Sequence, residues 1–77
     1  MKLVKVISYD KVLDVWLDSY INPEQIQQIT SIPEKDGTFI NLVKFEDMAI
    51  RVSRKSYLKL VKLLYGEEYD TNTQSKN

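Results

Sequence analysis

Carboxylates are the first place to look for chemistry in this chain. Asp10, Asp14 and Asp18 recur every four residues, and Glu46 and Asp47 are adjacent. General acid–base catalysis needs two carboxylates converging on one cleft with separated proton affinities. A strand reading places Asp14 and Asp18 about 13 Å apart on a solvent-facing side, too far to share a substrate atom. Solvated strand charges are therefore the expectation. Asp36-Gly37 lacks the spaced oxygen ligands of a calcium loop. The 77 residues include no cysteine and no histidine. That composition offers no disulfide framework, no cysteine–histidine zinc site and no histidine-based triad. Two glycines are too few for a phosphate-cradling loop. The serines have no histidine partner to activate them. The expectation is a non-enzymatic protein with no catalytic, cofactor-binding or metal-binding residues.

Binding residues are easier to find. Eleven basic side chains balance eleven acidic ones, so bulk charge gives no argument for nucleic acid. The balance is a cancellation. Residues 44–65 hold six basic side chains (Lys44, Arg51, Arg54, Lys55, Lys59 and Lys62) against two acidic ones. Such a surface suits an acidic protein face or phosphates, although an ordinary solvated helix face has the same appearance. Trp16 falls on the strand face that carries Asp14 and Asp18. A tryptophan among charges is a natural anchor for a partner, and Tyr20 and Tyr9 extend the patch. The competing reading packs Trp16 under the loop at 19–25 or under a helix, in a domain short of large core side chains.

The elements that must position these residues follow from periodicity. Lys2 to Ser8 is rich in valine and isoleucine and reads as a strand, with Tyr9-Asp10-Lys11 as the break after it. Val12 to Leu17 resumes as the second arm of a hairpin. Its alternation puts Leu13, Val15 and Leu17 on one face and Asp14, Trp16 and Asp18 on the other. Asn22-Pro23-Glu24-Gln25 carries cap, first-turn proline and acidic residue in the order that opens a helix, here for one turn. Gln27 to Ile32 reads as a third strand. Pro33-Glu34-Lys35-Asp36-Gly37 is a turn, and Thr38 to Lys44 is a fourth strand. Phe39, Asn41 and Val43 share one face of that strand and Ile40 and Leu42 the other, which suggests a central position. After a reversal at Phe45-Glu46-Asp47, Met48 to Val52 is the fifth.

Ser53 caps the one long helix and Gly66 stops it. Tyr57, Leu60, Val61 and Leu64 form its apolar face, with Lys55, Lys59 and Lys62 opposite. The expected fold class is α+β: a small antiparallel meander of about five strands packed by one C-terminal helix. The expected floor for the helix is Leu13/Val15/Leu17, Ile40/Leu42 and Met48/Ile50/Val52. A single domain is expected over 1–66, with a polar, disordered tail at 67–77. No apolar stretch is long enough to span a bilayer, and the lysines in the N-terminal stretch do not read as a signal peptide, so membrane insertion is not expected and a cytoplasmic location is.

Tyr20-Ile21-Asn22-Pro23-Glu24-Gln25-Ile26-Gln27-Gln28-Ile29 resembles the Asn-Pro-x-x-Ile-x-x-Ile segment of the small flagellar and swarming-motility FlbD-type family. Pro33, Gly37-Thr38-Phe39-Ile40-Asn41-Leu42 and Ile50-Arg51-Val52-Ser53 continue the resemblance across residues 20–64. It implies a compact, non-enzymatic bacterial accessory acting on motor function. The chain departs from that pattern at Phe45-Glu46-Asp47, at Tyr9-Asp10-Lys11 and in its basic helix, which implies a shared architecture with a different partner. No functional residue is carried over.

The leading expectation is thus a small interaction module of bacterial or phage type that binds and modulates a larger protein. Its partner-binding residues are Trp16, Tyr20, Arg51, Arg54, Lys55, Lys59 and Lys62. A phage-type inhibitor of a host or defence enzyme is a second form of the same idea. A nucleic-acid binder using the basic helix, and a homo-oligomer assembled through edge strands, are the alternatives.

Overall fold

The computed structural model describes residues 2–66, so the expected tail at 67–77 lies outside the described residues. Five antiparallel strands form one sheet: β1 (Val4–Asp10), β2 (Val15–Ile21), β3 (Gln28–Pro33), β4 (Phe39–Lys44) and β5 (Ala49–Val52). One helix, α1 (Arg54–Tyr65), packs on it. A single 3₁₀ turn, Pro23–Gln25, follows β2, with the Asn22 side chain accepting from the Glu24 N–H.

The strand order is β2-β1-β5-β4-β3. The sheet is therefore a hairpin (β1–β2) and a three-stranded meander (β3–β4–β5), joined where β5 pairs with β1 at Ser8↔Val52. β4 lies inside the sheet, as its two apolar faces suggest.

Turn chemistry sets the register. Gly37 sits at φ 90°, where a side chain would be strained, and its N–H donates to Glu34 O. Asp36 Oδ1 accepts from both the backbone N–H and the hydroxyl of Thr38. The β1–β2 reversal differs from the expected one. β1 runs on through Tyr9 and Asp10, and Val12 and Leu13 are turn residues rather than strand. Asp10 Oδ1 takes the Leu13 N–H at 2.9 Å, Asp10 O takes the Asp14 N–H at 2.7 Å, and Asp14 adopts φ 58°. Aspartate tolerates that left-handed conformation because its short side chain bonds locally.

Both helix caps are as expected. Ser53 Oγ accepts from the Ser56 N–H, and the Gly66 N–H returns to Lys62 O at φ 86°. The core is Val6, Ile21, Val43, Val52 and Leu60, with Ile29, Ile50, Phe45 and Tyr57 packed against it. Directly paired residues share a face, so the register puts Val6, Val43, Val52 and Ile50 beneath the helix.

The expected floor is corrected in three places. Ile40 and Leu42 lie on the other face. Met48 precedes β5 and is exposed. Val15 and Leu17 share the helix face but remain 42% exposed each, because α1 packs on β4 and β1 and does not reach the distal end of β2. Leu64, expected on the apolar helix face, is exposed as well.

Candidate functional site

The hairpin projects past the rest of the sheet. Every residue from Lys11 to Asp18 is exposed. Two surfaces meet there. Val12, Leu13, Val15 and Leu17 form the exposed apolar flank and tip, with Val12 91% exposed. The face away from the helix carries Tyr9, Trp16 and Tyr20, and among the described residues no element lies across it.

Tyr9 and Trp16 are direct cross-strand partners, with ring centroids 5.3 Å apart and planes inclined by 53°. Arg51 reaches them from β5. Its guanidinium lies 5.6 Å from the Tyr9 ring and 5.7 Å from the Trp16 ring, within cation–π range. The Tyr9 hydroxyl donates to Asp14 Oδ1 across the turn. That hydrogen bond raises the tyrosine pKa above its ordinary 10.0, with desolvation and the Asp14 charge acting in the same direction. Lys5 and Asp18 form an ion pair at 3.8 Å farther along the same face, both more than half exposed. Tyr20, 65% exposed, completes the row.

The backbone of β2 adds a second feature. Ile7 gives its N–H to Ser56 Oγ at 2.8 Å, and its C=O accepts from the Ser53 N–H at 2.9 Å. Both groups of Ile7 therefore point away from β2. Opposed residues in an antiparallel pair exchange both hydrogen bonds or neither. Ile7↔Asp18 is thus a non-bonded pair, and by alternation so are Tyr9↔Trp16 and Lys5↔Tyr20. Non-bonded pairs bring side chains closer, which accounts for the Tyr9–Trp16 contact. It also means that the N–H and C=O groups of Trp16, Asp18 and Tyr20 point outward along the edge of the sheet, where no described strand pairs with them.

The structure divides the sequence-derived residues into two groups. Trp16, Tyr20 and Arg51 share one face. Arg54, Lys55, Lys59 and Lys62 do not join them. Arg54 stacks over the Phe39 ring at 4.1 Å and bonds Ser31 Oγ and Asn41 Oδ1 at 2.7 and 3.0 Å. It fastens the start of α1 to β4 and β3. Lys59 Nζ donates to Lys5 O at 3.0 Å, alongside Lys55 at the inner edge of β1. Lys62 lies in the last turn of α1, where a cation complements the helix dipole. The exposed turn residue Leu13 and the uncovered Val15 and Leu17 are the part of the surface that periodicity assigned to the core, and Val12 is exposed beside them.

A groove of about 400 Å³ opens beside the end of β2, lined by Ser8, Ser19, Tyr20, Ile21, Phe45 and Ile50 among others. Its floor carries a Ser8–Ser19 hydroxyl bond of 2.6 Å. Among the described residues no group of three or more acidic, histidine or cysteine side chains is placed to hold a metal ion. No helix among them is long and apolar enough to cross a membrane. No protein-family model, curated protein or solved structure matches this chain.

Proposed function

We propose that this chain is a non-enzymatic interaction module that binds and modulates a larger protein, and that its contact surface is the outer half of the β1–β2 hairpin. One observation carries the reading: Tyr9, Trp16 and Arg51 stack on an uncovered sheet face, with Tyr20 on the same row. Tryptophan, tyrosine and arginine are the residues that dominate binding energy when a partner desolvates them. Tyr9 and Arg51 hold Trp16 in place, so docking immobilises few additional rotamers. Of the forms such a module takes, a motility accessory is the one favoured by the resemblance of the Asn22-Pro23 segment to FlbD-type proteins.

Affinity purification from the native cell, with wild-type and Trp16→Ala baits, tests the proposal. A partner recovered with wild type and lost with Trp16→Ala, at an unchanged far-UV spectrum, is the expected result. Lys55→Glu retains the partner, because the helix cations lie outside the surface. Equal recovery on wild-type and Trp16→Ala baits would refute the assignment.

A further inference from the structure

We infer that the open edge of β2 accepts an extended strand from the partner, with a lysine or arginine between aliphatic residues, and that the edge discriminates against a second copy of this chain. The inference rests on the interaction-module reading and specifies the chemistry of its partner. The outward N–H and C=O groups of Trp16, Asp18 and Tyr20 form one continuous ladder of donors and acceptors. A strand added there gains backbone hydrogen bonds for affinity, and its alternate side chains meet the two faces of β2.

The two faces ask for different residues. Toward the helix side, an added strand runs beside Val15 and Leu17, each 42% exposed, and covers them best with aliphatic side chains. On the other face it runs beside Trp16, Asp18 and Tyr20. Asp18 sits at the centre of that row, paired with Lys5 only at 3.8 Å and still largely exposed to water. A cationic side chain placed opposite Asp18 meets a carboxylate with acceptor capacity left. Trp16 and Tyr20 flank it about 7 Å away on either side, so its alkyl stem lies between two rings.

Charge argues against self-pairing. Two copies of β2 brought together antiparallel about Asp18 pair Trp16 with Tyr20, the longest match available, and set Asp18 against its own copy. Like charges directly opposite are destabilising. Recentring on Leu17 removes that clash but confines the pairing to Val15–Ser19, since Asp14 turns away at φ 58°. A charged side chain on an open edge is a known guard against edge-to-edge association. Here it guards against acidic strands and leaves basic ones free to pair.

The test uses capped peptides built around Thr-Val-Lys-Val-Thr and Thr-Val-Glu-Val-Thr, titrated against the whole chain. Trp16 is the sole tryptophan, so its fluorescence reports from the site itself. The lysine peptide is expected to give a saturable change at concentrations up to about 1 mM, at least about tenfold tighter than the glutamate peptide. Asp18→Lys reverses the preference, and Asp18→Asn abolishes it while removing the ion pair with Lys5. Equal binding of the two peptides, no saturable change, or a concentration-dependent dimer of the chain alone in sedimentation would overturn the inference. Loss of the cellular partner with Trp16→Ala but no peptide preference would remove strand addition and leave the interaction module standing.

Discussion

Replacing Trp16 with alanine separates an anchor from a core residue by magnitude. Trp16 is 46% exposed, so it hides about half of the ~200 Å² that a buried aromatic side chain removes from water. About 100 Å² at ~25 cal/mol per Å² is about 2.5 kcal/mol, an upper bound because a denatured chain already buries some of that area. The lost ring contact with Tyr9 is worth roughly 0.5 kcal/mol more as a cross-strand pair. Lowering the area term by about 40% for the denatured chain leaves an expected cost of about 2 kcal/mol in all. Leu60 gives the internal comparison. It is fully buried, and a leucine-to-alanine change at such a site costs about 3–5 kcal/mol. A chain of this length has roughly 4–11 kcal/mol of stability, so Trp16→Ala stays folded while Leu60→Ala approaches unfolding. Urea unfolding followed by far-UV circular dichroism measures both, since the indole signal is absent from the first variant. At about 4–8 °C per kcal/mol, Tm falls by about 8–16 °C for Trp16→Ala. A Trp16→Ala cost equal to that of Leu60→Ala would show that Trp16 is core and would refute the assignment of the exposed face.

Other expectations come from single contacts. Arg54→Ala removes the stack on Phe39 and the bonds to Ser31 and Asn41, for a loss of about 1–2 kcal/mol in urea; Arg54→Lys recovers less than half of it, because an ammonium lacks the planar fork. Ser56→Ala leaves the Ile7 N–H without its acceptor, costs about 1–2 kcal/mol, and speeds amide exchange at Ile7. The Tyr9 phenol, held by Asp14, titrates above 10.0 in the folded chain, so its contribution to stability is present below that pH and is lost as pH rises through the folded value. Asp14→Asn brings the midpoint down, read from the tyrosinate absorbance of the variant with and without Tyr9→Phe. Asp36, held below 3.8 by the Thr38 side-chain and backbone bonds, contributes stability above that value and loses it as pH falls through its folded midpoint; Thr38→Val raises the midpoint in an NMR titration.

What the sequence made legible was local. The Asp36-Gly37 turn, the Ser53 and Gly66 caps, the Asn22-Pro23 turn and the two faces of β4 each depend on residues within a few positions of one another. The orientation of β2 depends on distant ones. Its apolar alternation at Val15 and Leu17 matches a core-facing strand, and the opposite face also carries large side chains, so periodicity alone reads either face as buried. The Ile7 to Ser56 bond spans 49 positions and seats the helix against β1 rather than β2. Arg51 joins Trp16 only because β5 returns to pair with β1 at Ser8↔Val52. Arg54 leaves the basic surface because β4 and β3 supply its acceptors, 13 and 23 positions away.

The exposure of the hairpin follows from dimensions. Five strands at about 4.8 Å spacing make a sheet about 19 Å wide, whereas one helix with its side chains is about 10 Å across. A single helix therefore covers roughly two strands, and here its first turn is fixed to β1 through Ser56 and to β4 and β3 through Arg54. Nothing remains among the described elements to cover the far half of β2. Val12, Leu13, Val15, Leu17 and Trp16 are left in water on one projecting hairpin, beside an edge whose backbone groups are unpaired by any described strand. Scattered apolar residues on a surface need no explanation, but larger exposed apolar patches are where partners dock, and on the interaction-module reading proposed above a partner covers this set. Its position on an open edge makes strand addition the geometry in which one partner covers the side chains and the backbone together, and the Asp18 carboxylate at its centre gives that partner a sign.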